Sequence, residues 1–528
     1  MSYRVGSWKD VFSDFCSVAL ESCDDRDYTD LFATVTGTDK ATGLMIHQVQ
    51  AACFLASRKG AILADDMGLG KTRSALGALR ILSKKEALPA MVVTPAGLRR
   101  TWKDEADKYW PDAKVITADS YTDLDDSFDI AVVSYTKLKS FIGKIERFGI
   151  KVLIIDEAHS FKNSRALYGE QRRIYSEKIA AGEDPGVHRT ALLFSIAETI
   201  PRVYCLTGTP VLSRPKELFN LLKMTRHSLG RNFIQFSTRY CGGKNGRFGW
   251  ISDGCTNPEE LRSKLKNHVL RRHKKNILNL PPKHVKRVQT PLDMKGQFRY
   301  SGAWDDYIEM VRTTRSGEEA ARVWQARHLV QISLLRQICS ESKIEKAVER
   351  IKDHGKKTVV FSTYTKTLQL LKSALDAENI KALIYDGSLS EKQRGEAVGN
   401  FQSDPLLKVF IAQTETAKVG LTLTAATLVI FLDLVYTPAD HFQAEDRCYR
   451  IGQSDTVQIE YFLCPSTVED HLIELHEAKK NTISKIFDED LADEGDIVSS
   501  DLRKELLTKM RAAALKPKPK QRQTELGI

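Results

Sequence analysis

Short, continuously apolar runs alternate along the chain with stretches in which apolar residues recur at helical spacing. Five such runs lie in the first half, at 61–64, 91–93, 130–133, 152–155 and 203–206. Four comparable runs lie in the second half, at 358–361, 382–385, 408–411 and 428–432, of which the first and third begin with the polar residues Thr358 and Lys408. Strands that are apolar on both faces and separated by helices are typical of parallel sheets covered on both sides. The pattern predicts an α/β fold with two tandem lobes, each a parallel sheet flanked by helices, and with helical insertions.

The first apolar run leads into a glycine-containing turn and then into a helix. The stretch reads Ala61-Ile-Leu-Ala-Asp-Asp-Met-Gly-Leu-Gly-Lys-Thr72. It fits the phosphate-loop pattern G-x-x-x-x-G-K-[ST], except that Asp65 stands at the first glycine. Backbone N–H groups at a helix N-terminus bind phosphate oxygens, Lys71 adds a positive charge, and the Thr72 hydroxyl can hold Mg²⁺. The stretch therefore predicts a nucleotide-phosphate site; the alternative is a glycine turn without a ligand.

Two further signals belong with this loop. Asp156 and Glu157 directly follow the run 152–155. One carboxylate there can reach a Mg²⁺ shell and the next can orient a water molecule, whereas the alternative for Asp156 is a helix N-cap. Gln48 lies about twenty residues before the loop, where its amide can offer a donor and an acceptor to adenine. The alternative for Gln48 is an ordinary surface glutamine.

The second set of runs carries no phosphate loop, so the second lobe is predicted to be a partner of the nucleotide-binding lobe. The stretch 443–453 places Arg447 and Arg450 three residues apart, on one face of a helix. Two arginines opposite a phosphate loop can act as arginine fingers on the γ-phosphate. A salt-bridged surface helix is the alternative.

Composition narrows the class of partner. The chain has 528 residues, a net charge of +11 and a pI of about 9.0, which favours a polyanionic partner such as nucleic acid. No apolar run approaches the roughly 20 residues that cross a membrane, and the N-terminus lacks a signal-peptide core. Nine scattered cysteines form no C-x-x-C pair, so structural zinc is not expected. We expect an intracellular protein outside the membrane.

Shifts in composition predict the boundaries of the parts. Residues 1–40 form an N-terminal extension, 41–224 the first, nucleotide-binding lobe, 225–340 a helical protrusion and linker, 341–480 the second lobe, and 481–528 an acidic and then basic tail. The polar stretch 165–189 is predicted to be an inserted hairpin or surface loop. The basic cluster 270–275 and the glycine-rich, aromatic stretch 240–250 are either nucleic-acid contacts or solvated surface.

These motifs together resemble the Swi/Snf-type DNA translocases of helicase superfamily 2. The matching stretches are Ala64–Thr72, the DEAH box Asp156–His159, Leu206–Pro210, Leu335–Gln337, Gly420–Ala426 and Gln443–Gln453. Asp65 in place of the first glycine is itself that family's pattern. Within the family, Ser213–Phe219, Tyr240-Cys-Gly and Leu270-Arg-Arg resemble the annealing-helicase, fork-remodelling branch, without its accessory targeting domain. Tyr436-Thr-Pro438 stands where the family usually has Trp-Asn-Pro.

The resemblance implies two RecA-like lobes with ATP and Mg²⁺ in the cleft between them. Lys71 would hold the β- and γ-phosphates, Thr72 and Asp156 the Mg²⁺, Glu157 the water and Gln48 the adenine, while Gln443, Arg447 and Arg450 would close on ATP from the second lobe. Further nucleotide contacts are expected at Asp66, Met67, Gly68, Leu69, Gly70, Arg73 and Gly420. Candidate DNA contacts are Thr94, Pro95, Ala96, Thr207, Arg271, Arg272, Lys418 and Thr422.

The implied activity is a DNA-stimulated ATP hydrolase that translocates along double-stranded or branched DNA. It would remodel or reanneal the DNA or displace bound protein, as a monomer with room for a protein partner. One alternative is a strand-separating DNA or RNA helicase of the same superfamily. Others are the motor subunit of a nuclease or defence complex, and a nucleic-acid-binding scaffold without catalysis.

Overall fold

The computed structural model describes residues 44–82, 84–124, 127–141, 145–161, 189–208, 215–246, 249–252, 254–313, 318–417, 421–436 and 438–487, with residues 506, 509, 510 and 512. Several expectations lie outside these residues. They concern the N-terminal extension, the insertion at 165–189, most of the C-terminal tail, and the candidate site residues Lys418 and Gly420.

The first sheet is built from strands between residues 60 and 270. They are β1 Gly60–Leu63, β2 Ala90–Thr94, β3 Val115–Ala118, β4 Ile130–Ser134, β5 Val152–Ile155, β6 Arg202–Leu206 and β9 Val269–Leu270. Their spatial order is β3-β4-β2-β5-β6-β1-β9, and every pairing is parallel. Strands β2, β4 and β5 are buried along their whole length, as their unbroken valine and isoleucine runs require.

The second sheet also consists of parallel strands. They are β10 Lys283–Gln289, β11 Thr358–Ser362, β12 Ala382–Tyr385, β13 Val409–Gln413, β14 Leu428–Phe431 and β15 Val457–Leu463, in the order β10-β15-β14-β11-β13-β12. Strands β7 Lys244–Gly246 and β8 Gly249–Ile251 form a separate antiparallel hairpin. The two parallel sheets confirm the predicted α/β fold with two lobes.

Helices cover the sheets and connect their strands. In the first part of the chain they are α1 Ile46–Ala56, α2 Lys71–Ile81, α3 Lys84–Ala87, α4 Arg99–Tyr109, α5 Arg189–Thr199, α6 Leu218–Met224, α7 Phe233–Tyr240, α8 Pro258–Leu265 and α9 Lys274–Ile277. In the second part they are α10 Met294–Thr313, α11 Glu318–Ser342, α12 Ile344–His354, α13 Thr365–Ala377, α14 Glu391–Ser403, α15 Thr414–Ala417, α16 Pro438–Glu445 and α17 Val468–Phe487. Within the described ranges, no helix is long and apolar enough to cross a membrane.

All nine apolar runs predicted to be strands are strands. The sequence interpretation missed β3, β9, β10 and β15 of the two parallel sheets, and β7 and β8 of the hairpin. Strand β9 joins the first sheet beside β1, and β10 joins the second beside β15, so both outer strands come from the predicted protrusion and linker region. The chain between them, residues 271–282, passes from one sheet to the other. The domain boundaries at 224 and 340 stay predictions.

Candidate nucleotide site between the two lobes

The phosphate loop connects β1 to α2 and is shaped by two glycines. Gly68 has φ +89° and Gly70 has φ +78°, in the left-handed region that favours glycine. Helix α2 begins at Lys71, so its unpaired N–H groups open onto the loop. Lys71 Nζ donates to the carbonyl oxygens of Asp65 at 2.8 Å and Asp66 at 3.3 Å. The loop therefore presents backbone donors and one ammonium to the same space.

Asp156 follows β5 and is held by three donors. Trp102 Nε1 donates to its Oδ2 at 2.8 Å, Thr94 Oγ1 to the same oxygen at 3.3 Å, and the Glu157 N–H to Oδ1 at 2.9 Å. Burial, together with the charge of Glu157, raises the pKa of Asp156 to about 6. Trp102 was not among the predicted site residues. Its apolar spacing on α4 marks it as core, and nothing in the local sequence links its indole N–H to Asp156.

Glu157 adopts φ +48°, in the left-handed region that is uncommon for residues other than glycine. Burial would raise its pKa, but the contact with His159 and the charges of Lys71 and Arg447 lower it to about 2. His159 Nδ1 lies 3.3 Å from Glu157 Oε2 and 3.2 Å from Thr207 Oγ1. Of the two adjacent carboxyl groups, Glu157 therefore has the lower pKa.

The arginines of the second lobe reach the phosphate loop of the first. A Cβ at Gly68 would lie 3.4 Å from the Cβ of Arg450, so the two segments are in contact. Arg450 Nη1 donates to the Leu421 carbonyl at 3.1 Å. Burial and the charge of Arg450 lower the pKa of Arg447 to about 10, while Glu157 acts against them. The structure thus brings Arg447 and Arg450 to the same cleft as Glu157.

The other predicted nucleotide contacts lie around the loop. Gln48 is buried beside it: its Oε1 accepts from the Met45 N–H at 3.0 Å and its Nε2 donates to the Leu69 carbonyl at 3.3 Å. Arg73, on α2, pairs with Glu105 at 2.7 Å. Met67 packs against Gly208, where a Cβ would come within 2.5 Å of Met67 Cγ. Gln443 is buried on α16. The roles assigned to these residues stay predictions.

The predicted DNA contacts divide into internal and outward-facing residues. Thr94 and Thr207 are fully buried, and their hydroxyls contact Asp156 and His159. Arg272 forms a bidentate pair with Asp65, with Nε 3.0 Å from Oδ1. These three residues are occupied within the protein, so we do not place them on a DNA surface.

The outward-facing candidates flank a cleft between the lobes. The cleft has a volume of about 580 Å³, and its lining includes Gly97 and Arg100 from the first lobe and Lys392, Arg394 and Leu421 from the second. Ala96 is exposed next to Gly97, and the partly exposed Thr422 follows Leu421. Arg271 is also partly exposed. The lining also includes Asp104, 3.7 Å from Arg100, and Glu396, 3.9 Å from Lys392, so charged side chains of both signs from the two lobes meet at this cleft.

Two protein-family profiles match the sequence of this chain. The profile of the SNF2-related domain matches residues 46–178 and 193–344, more than half of the chain. The chain belongs to the SNF2-related family. The profile of the helicase conserved C-terminal domain matches residues 342–452 of this SNF2-related chain, over most of the second lobe. The family assignment confirms the predicted resemblance.

Two relatives illustrate where this SNF2-related chain lies in the family. It is 29% identical to the Caenorhabditis elegans homolog of SWI/SNF-related matrix-associated actin-dependent regulator of chromatin subfamily A-like protein 1, over 84% of this chain and 62% of the relative. It is also 29% identical to human DNA annealing helicase and endonuclease ZRANB3, over 81% of this chain and 39% of that protein. The chain thus spans less than two thirds of either relative.

Solved structures include the Sulfolobus solfataricus SWI2/SNF2 ATPase core in complex with dsDNA. It matches with a TM-score of 0.39 and 22% identity, over 84% of this SNF2-related chain and 94% of the solved one. At that TM-score the likeness carries no weight for the placement of a ligand.

Proposed function

We propose that this chain is a DNA-stimulated ATPase that translocates along double-stranded DNA and thereby remodels or reanneals it or displaces bound protein. The observation that supports this most is the meeting of two half-sites in one cleft. Lys71 and Glu157 come from the first lobe, whereas Arg447 and Arg450 come from the second. A site divided in this way can turn over only when the lobes are together, which suits a motor driven by opening and closing.

The residues of the first lobe fit a nucleoside triphosphate with Mg²⁺. The glycine conformations at 68 and 70 and the N-terminus of α2 form a cradle for phosphate oxygens. Thr72 and Asp156 supply a hydroxyl and a carboxylate, and oxygen donors of this kind are what Mg²⁺ prefers. Among the described side chains, no three His, Cys, Asp or Glu residues form a metal-binding group of their own. Bound Mg²⁺ would neutralise charge on the phosphates.

The protein groups have distinct roles in the proposed hydrolysis. Lys71 binds the β- and γ-phosphates. Glu157, held ionised by His159, Lys71 and Arg447, orients the attacking water. Arg447 and Arg450 stabilise the negative charge that spreads over the γ-phosphoryl oxygens in the transition state, and Gln443 closes the site from the same lobe. Gln48 is the proposed adenine contact.

We place DNA along this cleft between the lobes, where Arg394 adds a cation to the ion-paired Arg100 and Lys392. Arg100 on the first lobe and Lys392 and Arg394 on the second can contact phosphates at successive positions. Pro95, Ala96 and Thr422 adjoin lining residues along the chain, and Arg271 and Lys418 join them as sequence-based candidates. Contacts to the backbone are independent of base sequence, as a translocating enzyme requires. The names of the annealing-helicase relatives support reannealing as one outcome, and we propose a monomer acting inside the cell.

An ATPase titration tests this function. Turnover is measured with single-stranded, duplex and forked DNA and with single-stranded RNA at one fixed salt concentration, since phosphate-based affinity depends steeply on salt. We expect duplex DNA to stimulate the wild type strongly, and Lys71→Ala and Glu157→Gln to lose at least about 99% of the stimulated rate. The control is Lys352→Met, which removes an exposed ion pair with Glu378 and should keep full turnover.

Each alternative function predicts a different result in these assays. Equal stimulation by single-stranded RNA would contradict the duplex-DNA assignment. Efficient unwinding of a forked duplex would favour a strand-separating helicase. ATP turnover no higher in the wild type than in Lys71→Ala would leave a nucleic-acid-binding scaffold, and DNA cleavage appearing only with a partner protein would identify the motor of a nuclease complex.

A further inference from the structure

The basic stretch Arg272–Lys274, which we call the linker clamp, crosses from the first lobe to the second. It follows β9 of the first sheet and precedes β10 of the second. The sequence interpretation left this stretch as either a nucleic-acid contact or a solvated surface. Its side chains are instead engaged within the protein: Lys274 is buried, and the Arg272 side chain is only 13% exposed.

One end of the linker clamp holds the phosphate loop. The Arg272 guanidinium binds both oxygens of Asp65, and its Nη1 donates to the His47 carbonyl at 2.8 Å. The Asp66 carboxylate accepts from the Lys274 N–H at 3.1 Å and lies 3.3 Å from His273 Nδ1. Asp65 and Asp66 are thus both fixed by a segment that follows more than 200 residues later.

The other end holds the arginine-bearing segment of the second lobe. Lys274 Nζ donates to Asp446 Oδ1 and, at 3.0 Å, to the Tyr449 carbonyl. Asp446 directly precedes Arg447, and Tyr449 directly precedes Arg450. One lysine side chain therefore contacts the residue before each proposed arginine finger.

The contact between Lys274 and Asp446 matters because it pairs a buried negative charge. Asp446 is buried and interacts electrostatically with both Arg447 and Arg450. The other charged groups around it are Lys274, Lys283 and Glu445. A buried carboxylate that loses its partner is costly, so it takes the nearest available cation. Without Lys274, the nearby cations are Lys283, which Glu445 already binds at 2.8 Å, and the two arginines that the proposed mechanism needs at the γ-phosphate.

We propose that Lys274 is a positioning residue, which holds Asp446 away from Arg447 and Arg450 so that both guanidiniums stay available to the γ-phosphate. Lys274 also joins the phosphate loop to the arginine segment, since its backbone N–H binds Asp66 and its side chain binds Asp446 and the Tyr449 carbonyl, so the distance between the two half-sites is set by the linker clamp. This inference rests on the proposed ATPase function and adds to it a group that touches neither nucleotide nor DNA.

The test is a suppressor experiment on the full chain. Lys274→Met, Asp446→Asn and the double variant are compared with wild type and with Lys352→Met in steady-state ATP hydrolysis at saturating duplex DNA. We expect Lys274→Met to lower kcat roughly 10- to 100-fold with little change in KM, since misplacing a catalytic group by about 1 Å costs about that much. The double variant should recover at least tenfold over Lys274→Met, because no free carboxylate remains to capture the arginines.

The outcomes separate a positioning role from a structural one. A double variant as slow as Lys274→Met, with wild-type thermal melting, would overturn the inference, as would wild-type kcat in Lys274→Met. If Lys274→Met fails to melt cooperatively, the double variant alone decides: turnover within about threefold of wild type supports the inference, and a loss beyond tenfold overturns it. A wild type without DNA-stimulated hydrolysis would remove the proposed function and this inference with it.

Discussion

Trp102→Phe removes one hydrogen-bond donor from Asp156 and leaves an aromatic ring in the core. The indole N–H lies 2.8 Å from Oδ2, and Trp102 is 1% exposed, so water cannot replace the lost bond. A hydrogen bond to a charged group contributes about 1.5–3 kcal/mol to stability. Removing a group that orients a metal-binding side chain typically lowers metal affinity or activity by about 10- to 100-fold. We expect kcat/KM for DNA-stimulated ATP hydrolysis to fall by about that factor.

Two matched variants separate the lost donor from lost packing. Thr94→Val removes the second donor to Oδ2, which at 3.3 Å is longer and weaker, so its loss of activity should be smaller than that of Trp102→Phe. Trp110→Phe changes the residue that follows the same helix, where the indole contacts the Arg80 guanidinium. All variants are assayed across a Mg²⁺ titration, with thermal melting in parallel. Equal activities of Trp102→Phe and Trp110→Phe would refute the assigned role of the indole.

Two further predictions concern stability. Gly60→Ala should destabilise the first lobe by about 1–3 kcal/mol, because its Cβ would lie 2.0 Å from the Thr225 carbonyl oxygen, whereas Gly302→Ala meets nothing within 4 Å and should be neutral or stabilising in urea unfolding. Burial lowers the pKa of His268 to about 3, below its unfolded value of about 6.5. Between these two pH values the unfolded chain therefore binds one more proton than the folded chain. As the pH is lowered through this range, the free energy of unfolding should decrease by up to about 1.4 kcal/mol per pH unit, and His268→Gln should reduce that slope.

What the sequence predicts well is what its local chemistry determines. The run at 152–155 is apolar throughout because β5 is buried on both faces, so pattern alone identifies it. Strand β10 could not be predicted from an apolar run. It is an edge strand whose residues are mostly exposed, and Lys286 and Arg287 interrupt any apolar period. Strand β9 is missed because two residues are too short to carry a period.

The candidate site likewise contains some residues that local motifs identify and others that only the folded structure reveals. Lys71 and Asp156 are identified by short motifs, because phosphate and metal binding constrain neighbouring residues. Trp102 is not, since its partner lies 54 residues away and its own spacing is that of a core residue. Arg272 was predicted to contact DNA because a basic cluster reveals its charge but not its partner within the protein, Asp65, which lies 207 residues earlier in the chain.

The ion pair between Asp65 and Arg272 accounts for the presence of both residues. The usual first glycine of a phosphate loop leaves room for the backbone alone, but here a carboxylate stands at that position and is 1% exposed. A charge buried so deeply requires a partner, and the guanidinium fork of Arg272 provides two donors to it. A glycine at 65 would leave that guanidinium without its carboxylate. The departure from the general loop pattern therefore follows from the return of the chain through β9, which ties the phosphate loop to the linker clamp and so to the arginines of the second lobe.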